Sequence, residues 1–226
     1  MGRFIGRAGR ALAVASAMLL VMGIAAPALA APMRDCSDRT VEPGADLRRC
    51  DLRSLPVAGA DLTGADLTRA VLAGMDLDIG PDDPRTRLYE TSLVRADLTG
   101  ANLSNTDLRF ADLTSAAMAG SVLEESRLGD ATLRAADLSG AGFFFADLAR
   151  TDLRRADLAG ASVRSSFAAE ADLRGADLTG ADLTGSNFFG ADFGGVTGLD
   201  SVTWSNTICP DGTNSDDHRG TCVGHL

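Results

Sequence analysis

From Ala45 to about Gly195 the apolar positions recur every five residues, as in Ala60-Asp61-Leu62-Thr63-Gly64 and Ala176-Asp177-Leu178-Thr179-Gly180. We take the Leu as the centre of each unit. A period of five fits neither a helix, at 3.6, nor the plain alternation of a strand, at 2.0. It fits a coil that turns a corner every five residues and closes after four. Within a unit, the residue two before the centre and the centre itself point inward, and the residue between them points out. The first inward position is Ala, Ser, Thr or Cys in 27 of 29 units, the exceptions being Leu55 and Met75. The second is Leu, Phe, Met or Val in 28 of 29, Ala168 being the exception. A small residue lets the backbone approach closely inside a narrow tube, and the large ones stack on their counterparts one coil away. Gly100, Gly120, Gly140, Gly160 and Gly180 recur every twenty residues, each two after a centre. That second period is the signature of four units per coil, with Gly at one corner where positive φ is needed.

The register slips once. Centres run from 47 to 77 in steps of five, then from 88 to 193. The segment between, Asp78-Ile79-Gly80-Pro81-Asp82-Asp83-Pro84-Arg85-Thr86-Arg87, is rich in Pro and Asp and is expected to leave the body as a loop over 78–87. The repeating Ala-Asp-Leu-x-x resembles the pentapeptide-repeat family, over Ala45 to about Gly195. The resemblance implies an all-β fold, a right-handed quadrilateral β-helix. It would have about seven coils and, at about 4.8 Å per coil, a length of roughly 34 Å. Distortion is expected in the weakest units, 55–59 and 116–133. The open ends of such a rod expose unpaired backbone and need caps. Residues 31–44 and 198–226 are the expected caps on a body of 45–197.

The first thirty residues follow another pattern. Arg3, Arg7 and Arg10 precede an apolar run from Ala11 to about Ala26, and Ala28-Leu29-Ala30 follows. This reads as a signal peptide over 1–30, cut before Ala31, with the protein secreted and no membrane attachment left. The 21 basic residues are all Arg, and the whole chain carries −10. Without residues 1–30, 18 Arg face 31 acids, a charge of −13. That balance excludes direct nucleic-acid binding, which needs a basic patch. Sixteen of the 31 acids stand just before a centre, so half the charge belongs to the repeat.

Four Cys allow three pairings. On a rod, Cys36 and Cys50 lie at one end and Cys209 and Cys222 at the other, and a bridge needs Cα atoms within about 7 Å. Disulfides Cys36–Cys50 and Cys209–Cys222 are therefore expected, and export favours them. Cys209, His218, Cys222 and His225 are possible zinc ligands, but C-x8-H-x3-C-x2-H is no recognised finger, and the disulfide is preferred. Asp211, Asn214, Asp216 and Asp217 do not follow the order of a calcium-binding loop and read as a polar turn. No metal or other cofactor is expected. Trp204 is expected to cover the last coil. No Ser-His-Asp or Cys-His set is legible and no Gly-rich phosphate loop follows a strand, so no catalytic residue is assigned.

Sorting units by four separates the faces. One carries Asp97, Asp137, Asp157 and Asp177, interrupted by Ala117, and is acidic and smooth. Its neighbour carries Asp112, Asp152, Asp172 and Asp192 with Arg134, Arg154, Arg155 and Arg174, a ladder of compensating charge. A third carries Tyr89, Phe110, Phe167 and Phe189 outward, with Phe144 and Phe145 near its corner; outward aromatics in so aromatic-poor a chain suggest a contact surface. Some members of the family resemble DNA and bind DNA gyrase, and the acidic face would suit that. Export, charge compensation and the repeat origin of the acids oppose it. The expectation is a secreted, non-enzymatic rod that binds a protein or cell-wall partner, with a homodimer also open.

Overall fold

The computed structural model describes residues 33–34, 36–78 and 85–226. The expected signal peptide and the tip of the expected loop, 79–84, lie outside the described residues.

Each unit makes the same local structure. The carbonyl of the centre accepts a hydrogen bond from the N–H three residues on, as in Ala96 N–H to Leu93 O (2.9 Å) and Ala136 N–H to Leu133 O (3.1 Å). The residue two after the centre is left-handed in every described unit but that of Leu52, which is the requirement of a type II turn. Glycine fills this place on the corner that carries Gly100 to Gly180 (φ 63–70°). On the other corners Gly shares it with Arg, Glu, Asp, Asn, Ser, Ala and Phe, whose φ is 52–61°. The corner thus requires a conformation rather than a residue type.

Between turns, each unit pairs in parallel with its counterparts one coil away. The spacing is twenty residues, as in Asp112↔Thr132, Thr132↔Asp152 and Asp152↔Asp172. Four units therefore close one coil, and four faces result. Face 1 stacks Leu47, Leu67, Leu93, Leu113, Leu133, Leu153, Leu173 and Phe193. Face 2 runs through Leu98, Leu138, Leu158 and Leu178, face 3 through Leu103, Leu123, Phe143 and Leu183, and face 4 through Leu88, Leu108, Leu128, Leu148 and Phe188. These centres and the Ala residues two before them are buried, Ala45 at the first coil only partly. Inward Ser and Thr hydroxyls donate to backbone carbonyls: Thr106 to Leu103 O (2.6 Å), Ser126 to Leu123 O (2.7 Å), Thr151 to Leu148 O (2.6 Å). Ala168 sits where Phe143 and Phe188 fill the tube from neighbouring coils, and a void of only about 10 Å³ remains there. That is at the lower limit for one water.

The slip is a six-residue insertion within one coil. Across it the pairing step is twenty-six residues, as in Asp61↔Arg87 and Asp76↔Asn102. The excursion is narrower than 78–87. Thr86 is buried, donates to Leu77 O (2.7 Å) and accepts from Gly59 N–H (2.8 Å), and Arg87 is already paired in the ladder. The expected distortion over 116–133 is absent. Ala117, Val122, Arg127 and Thr132 depart from the consensus, but they face outward and pair in normal register. The inward residues there, Ala116, Met118, Ser121, Leu123, Ser126, Leu128, Ala131 and Leu133, are all buried. In 55–59 the ladder does lapse, because Pro56 has no N–H to give.

Both ends are covered. Cys50 takes an inward small position and is bonded to Cys36 (Cα–Cα 5.7 Å), while Arg34 N–H donates to Arg49 O (2.9 Å). At the other end the ladder runs past 197, to Asp182↔Thr203 and Asn187↔Ile208. Trp204 is buried there against Phe193 (6.0 Å), which packs edge-on against Phe188 (5.4 Å). Cys209–Cys222 (Cα–Cα 5.4 Å) ties the tail down.

Candidate binding faces

The Asp before each centre has a structural task. Its Oδ1 accepts the N–H two residues on, an Asx turn that sets up the corner. All sixteen such Asp residues do this, among them Asp97 (3.1 Å), Asp137 (3.1 Å), Asp157 (3.0 Å) and Asp177 (2.9 Å) of the acidic face. Asn102 and Asn187 do the same. On face 2 the acidic run is short. Asp137, Asp157 and Asp177 sit on consecutive coils, and Ala117 separates them from Asp97. The Thr179 hydroxyl and N–H hold the Asp177 carboxyl below its usual range.

Face 1 is neutralised as its sequence suggests. An Arg one after the centre forks onto the Asp of its own unit and reaches the Asp of the next coil. Arg154 meets Asp152 (2.5 Å) and Asp172 (3.4 Å); Arg174 meets Asp172 (2.6 Å) and Asp192 (3.4 Å). Arg134 reaches Asp152 at 3.9 Å. Burial pushes the Asp152 carboxyl up, but Arg154 outweighs it and the net direction is down. Arg155 is a correction. It stands at the corner, two after a centre, and makes no ion pair among the described residues.

The apolar groups are segregated. Phe144 and Phe145 lie on face 3 and its corner, Phe167 and Phe189 on face 4, and Phe110 on the far corner of face 4. All five are exposed, by 41–57%. Val122, exposed as well, lies one coil from Phe144 on face 3. Among the described repeat residues, faces 1 and 2 expose no large apolar side chain. The aromatics do not form one continuous stripe. Tyr89 meets Phe110 edge-on (5.4 Å) and lies under Arg109 (5.6 Å), while Phe144 and Phe145 touch each other (4.1 Å). Phe189 lies against the tail at Gly212.

In the tail, both Cys are consumed in the disulfide. His218 and His225 stack (3.6 Å), and His225 meets Asp211 (2.7 Å). Three of the four possible calcium ligands already accept hydrogen bonds within the tail or from the last coil. Asp211 accepts from Thr213, Asn214 accepts from Asp216 N–H, and Asp216 accepts from Asn206 N–H. Among the described residues no group of His, Cys, Asp or Glu is placed to hold a metal ion. No helix of the described residues is long and apolar enough to cross a membrane.

One charged feature was missed from the sequence. At the corner between faces 1 and 2, Arg49, Arg69 and Arg95 stack on consecutive coils. With Arg34, Arg48, Thr68 and Val94 they line a cleft of about 540 Å³. The signal was present, since all three stand two after a centre. The insertion hid it by turning the second spacing from twenty into twenty-six.

A sequence profile for pentapeptide repeats matches the chain in eight copies, over 45–78, 91–130, 116–155, 136–167 and 156–195. Among solved structures, HetL of Nostoc sp. strain PCC 7120, a pentapeptide repeat protein involved in heterocyst differentiation regulation, is 31% identical. The match covers 76% of this chain and 86% of HetL, with a TM-score of 0.42. QnrB1, a plasmid-mediated fluoroquinolone resistance protein, is 16% identical over 67% of this chain and 83% of its own, with a TM-score of 0.42. A pentapeptide repeat protein of the Arabidopsis thaliana thylakoid lumen is 27% identical over 54% and 73%, with a TM-score of 0.29. No curated protein matches the sequence.

Proposed function

The chain belongs to the pentapeptide-repeat family of right-handed quadrilateral β-helices, and we propose that it is an exported, non-enzymatic rod that docks a protein or cell-wall partner through faces 3 and 4. The segregation of exposed Phe carries this reading. Five of the nine Phe residues are left in water on one side of a rod whose other two faces expose no large apolar side chain among the described repeat residues. An apolar patch of that kind rimmed by polar faces is the mark of a contact surface. Export is supported by Arg3, Arg7 and Arg10 before the apolar run, by Ala28-Leu29-Ala30, and by two disulfides that an oxidising compartment preserves.

The test is capture of partners from culture fluid by the protein and by a Phe110→Ser/Phe144→Ser/Phe167→Ser variant. These side chains face solvent, so the fold survives the change. Partners held by the protein and released by the variant are expected; a variant that keeps every partner overturns the reading. Localisation of the tagged protein in its own cell checks export. A second reading, a DNA-like surface for a gyrase or topoisomerase, has the consecutive Asp137, Asp157 and Asp177 in its favour. Retention in the cytoplasm with inhibition of gyrase supercoiling would replace the first reading by the second.

A further inference from the structure

We propose that the corner of Arg49, Arg69 and Arg95, with Arg34 and Arg48 beside it, is a binding site for an oligophosphate, a chain of two or more phosphate groups.

The three corner residues are held by the ladder itself. Arg49 N–H donates to Thr68 O (3.0 Å) and Arg69 N–H donates to Val94 O (3.0 Å), so they occupy successive coils. At about 4.8 Å per coil the column spans roughly 10 Å. Elsewhere most arginines of the described residues are matched with acids, although Arg155, farther along the same corner, is not. Those one after a centre fork onto Asp, as Arg53 does onto Asp51 (2.6 Å). On the corner between faces 4 and 1, Arg150 stacks on Asp130 (2.7 Å). Arg49, Arg69 and Arg95 instead stack on one another and make no ion pair among the described residues. Among the described residues, Asp46 and Asp66 on face 1 are committed to Arg34 and Arg48. Asp46 takes Arg34 (3.2 Å) and Arg48 (2.8 Å), and Asp66 takes Arg48 (3.5 Å). Five guanidinium groups thus line one cleft, and no carboxylate is among its lining residues.

The fold does not ask for this arrangement. All three are left-handed, with φ of 58°, 60° and 57°, and the same column ends in Gly175 and Gly195. Long like-charged side chains at positions that favour glycine cost stability, which points to a ligand that relieves the repulsion. A guanidinium forks onto phosphate oxygens in two parallel hydrogen bonds, and a chain of phosphates meets the column group by group. Val94 is the only apolar residue of the lining and no aromatic side chain is there to stack a base. The chemistry is therefore phosphate alone rather than nucleic acid. The cleft stands on a different corner from every exposed Phe, so it is independent of the partner surface above.

Calorimetric titration of the disulfide-intact protein with tripolyphosphate, at low salt, tests this. We expect saturable binding that weakens as salt rises. Orthophosphate should bind at least about tenfold more weakly. An Arg49→Gly/Arg69→Gly/Arg95→Gly variant, which restores the glycine of Gly175 and Gly195, should fold and lose about thirtyfold or more in affinity. A control of equal charge change, Arg85→Ser/Arg127→Ser/Arg164→Ser, should bind as the unaltered protein does. The proposal is overturned if tripolyphosphate shows no saturable binding, if orthophosphate binds equally well, or if the corner variant retains affinity. It is overturned too if the control loses as much, since net charge alone would then explain the effect.

Discussion

Gly140 and Gly142 offer a clean separation of backbone strain from packing. A Cβ added at either would meet nothing within 4 Å. They differ in conformation. Gly140 is a corner residue with φ 64°, whereas Gly142 is outward on face 3 and paired between Val122 and Ser162. Replacing Gly by Ala removes freedom from the unfolded chain, worth about 0.4–1 kcal/mol of stability where the native φ suits Ala. Gly142→Ala should gain that amount. At Gly140 the same gain is set against the left-handed penalty of about 1–2 kcal/mol. Gly140→Ala should therefore lose up to about 1.5 kcal/mol, and the two variants should differ by the penalty itself, about 1–2 kcal/mol. With a urea m-value of about 2 kcal/mol/M, their unfolding midpoints should stand roughly 0.5–1 M apart, Gly142→Ala the higher. Ala135, left-handed at φ 52° on another corner, shows that Ala is strained there but accommodated. Equal midpoints for the two variants would refute the assignment of the corners as the strained positions.

Leu138 is fully buried in mid-rod, and Leu138→Ala should cost about 2–5 kcal/mol in guanidinium unfolding; a loss under about 1 kcal/mol would contradict a tube filled by stacked side chains. Gly198, at φ 80°, leaves no room for a Cβ against the backbone and side chain of Thr179. Gly198→Ala should open the last coil and speed amide exchange at Thr197 and Thr203 while the middle of the rod stays protected. Acid should act through the carboxylates that the fold holds below their ordinary range. Arg53 draws Asp51 down to about 2, and Thr213 and His225 draw Asp211 to about 2. A folded pKa below the unfolded one gives stability that is present above about pH 4 and lost as pH falls through the folded value. Melting temperature should hold from pH 7 to 4 and drop between pH 4 and 2; an unchanged melt at pH 2 would show that these turns do not stabilise the fold.

The architecture was legible because its cause is periodic. One small and one large inward residue every five positions leave few ways to close a core, and the twenty-residue glycine spacing fixes the number of sides. The disulfides followed from placing Cys36 and Cys50 at one end and Cys209 and Cys222 at the other. Positions two after a centre were harder to read. Gly100 to Gly180 announce one corner, but Arg69, Phe110 and Ser165 take the same backbone without any compositional signal. Strength of consensus was also a poor guide over 116–133, because the consensus Asp is an outward residue and the tube is set by the inward ones. The arginine corner escaped because its members become neighbours only when the insertion after Leu77 is counted as extra chain within a coil.

The charge of the molecule can now be divided by cause. Each Asp before a centre is bound to the N–H of its own turn, so its negative charge comes with the corner it builds and says little about a partner. The repeat is in this sense a background against which departures stand out. Ala117, Val122, Arg127 and Thr132 show that the Asx turn is dispensable in a single unit, since the ladder runs on through all four. Outward positions are therefore free to vary, and what fills them is informative where it costs something. Exposed Phe on faces 3 and 4 gives up burial, and unpaired Arg at left-handed corners adds both strain and repulsion. Acidic residues on face 2 cost nothing of this kind, because the turns repay them. A surface chosen for function should show the first two signs, which places the binding chemistry of this rod at its aromatic side and its arginine corner rather than along its row of Asp.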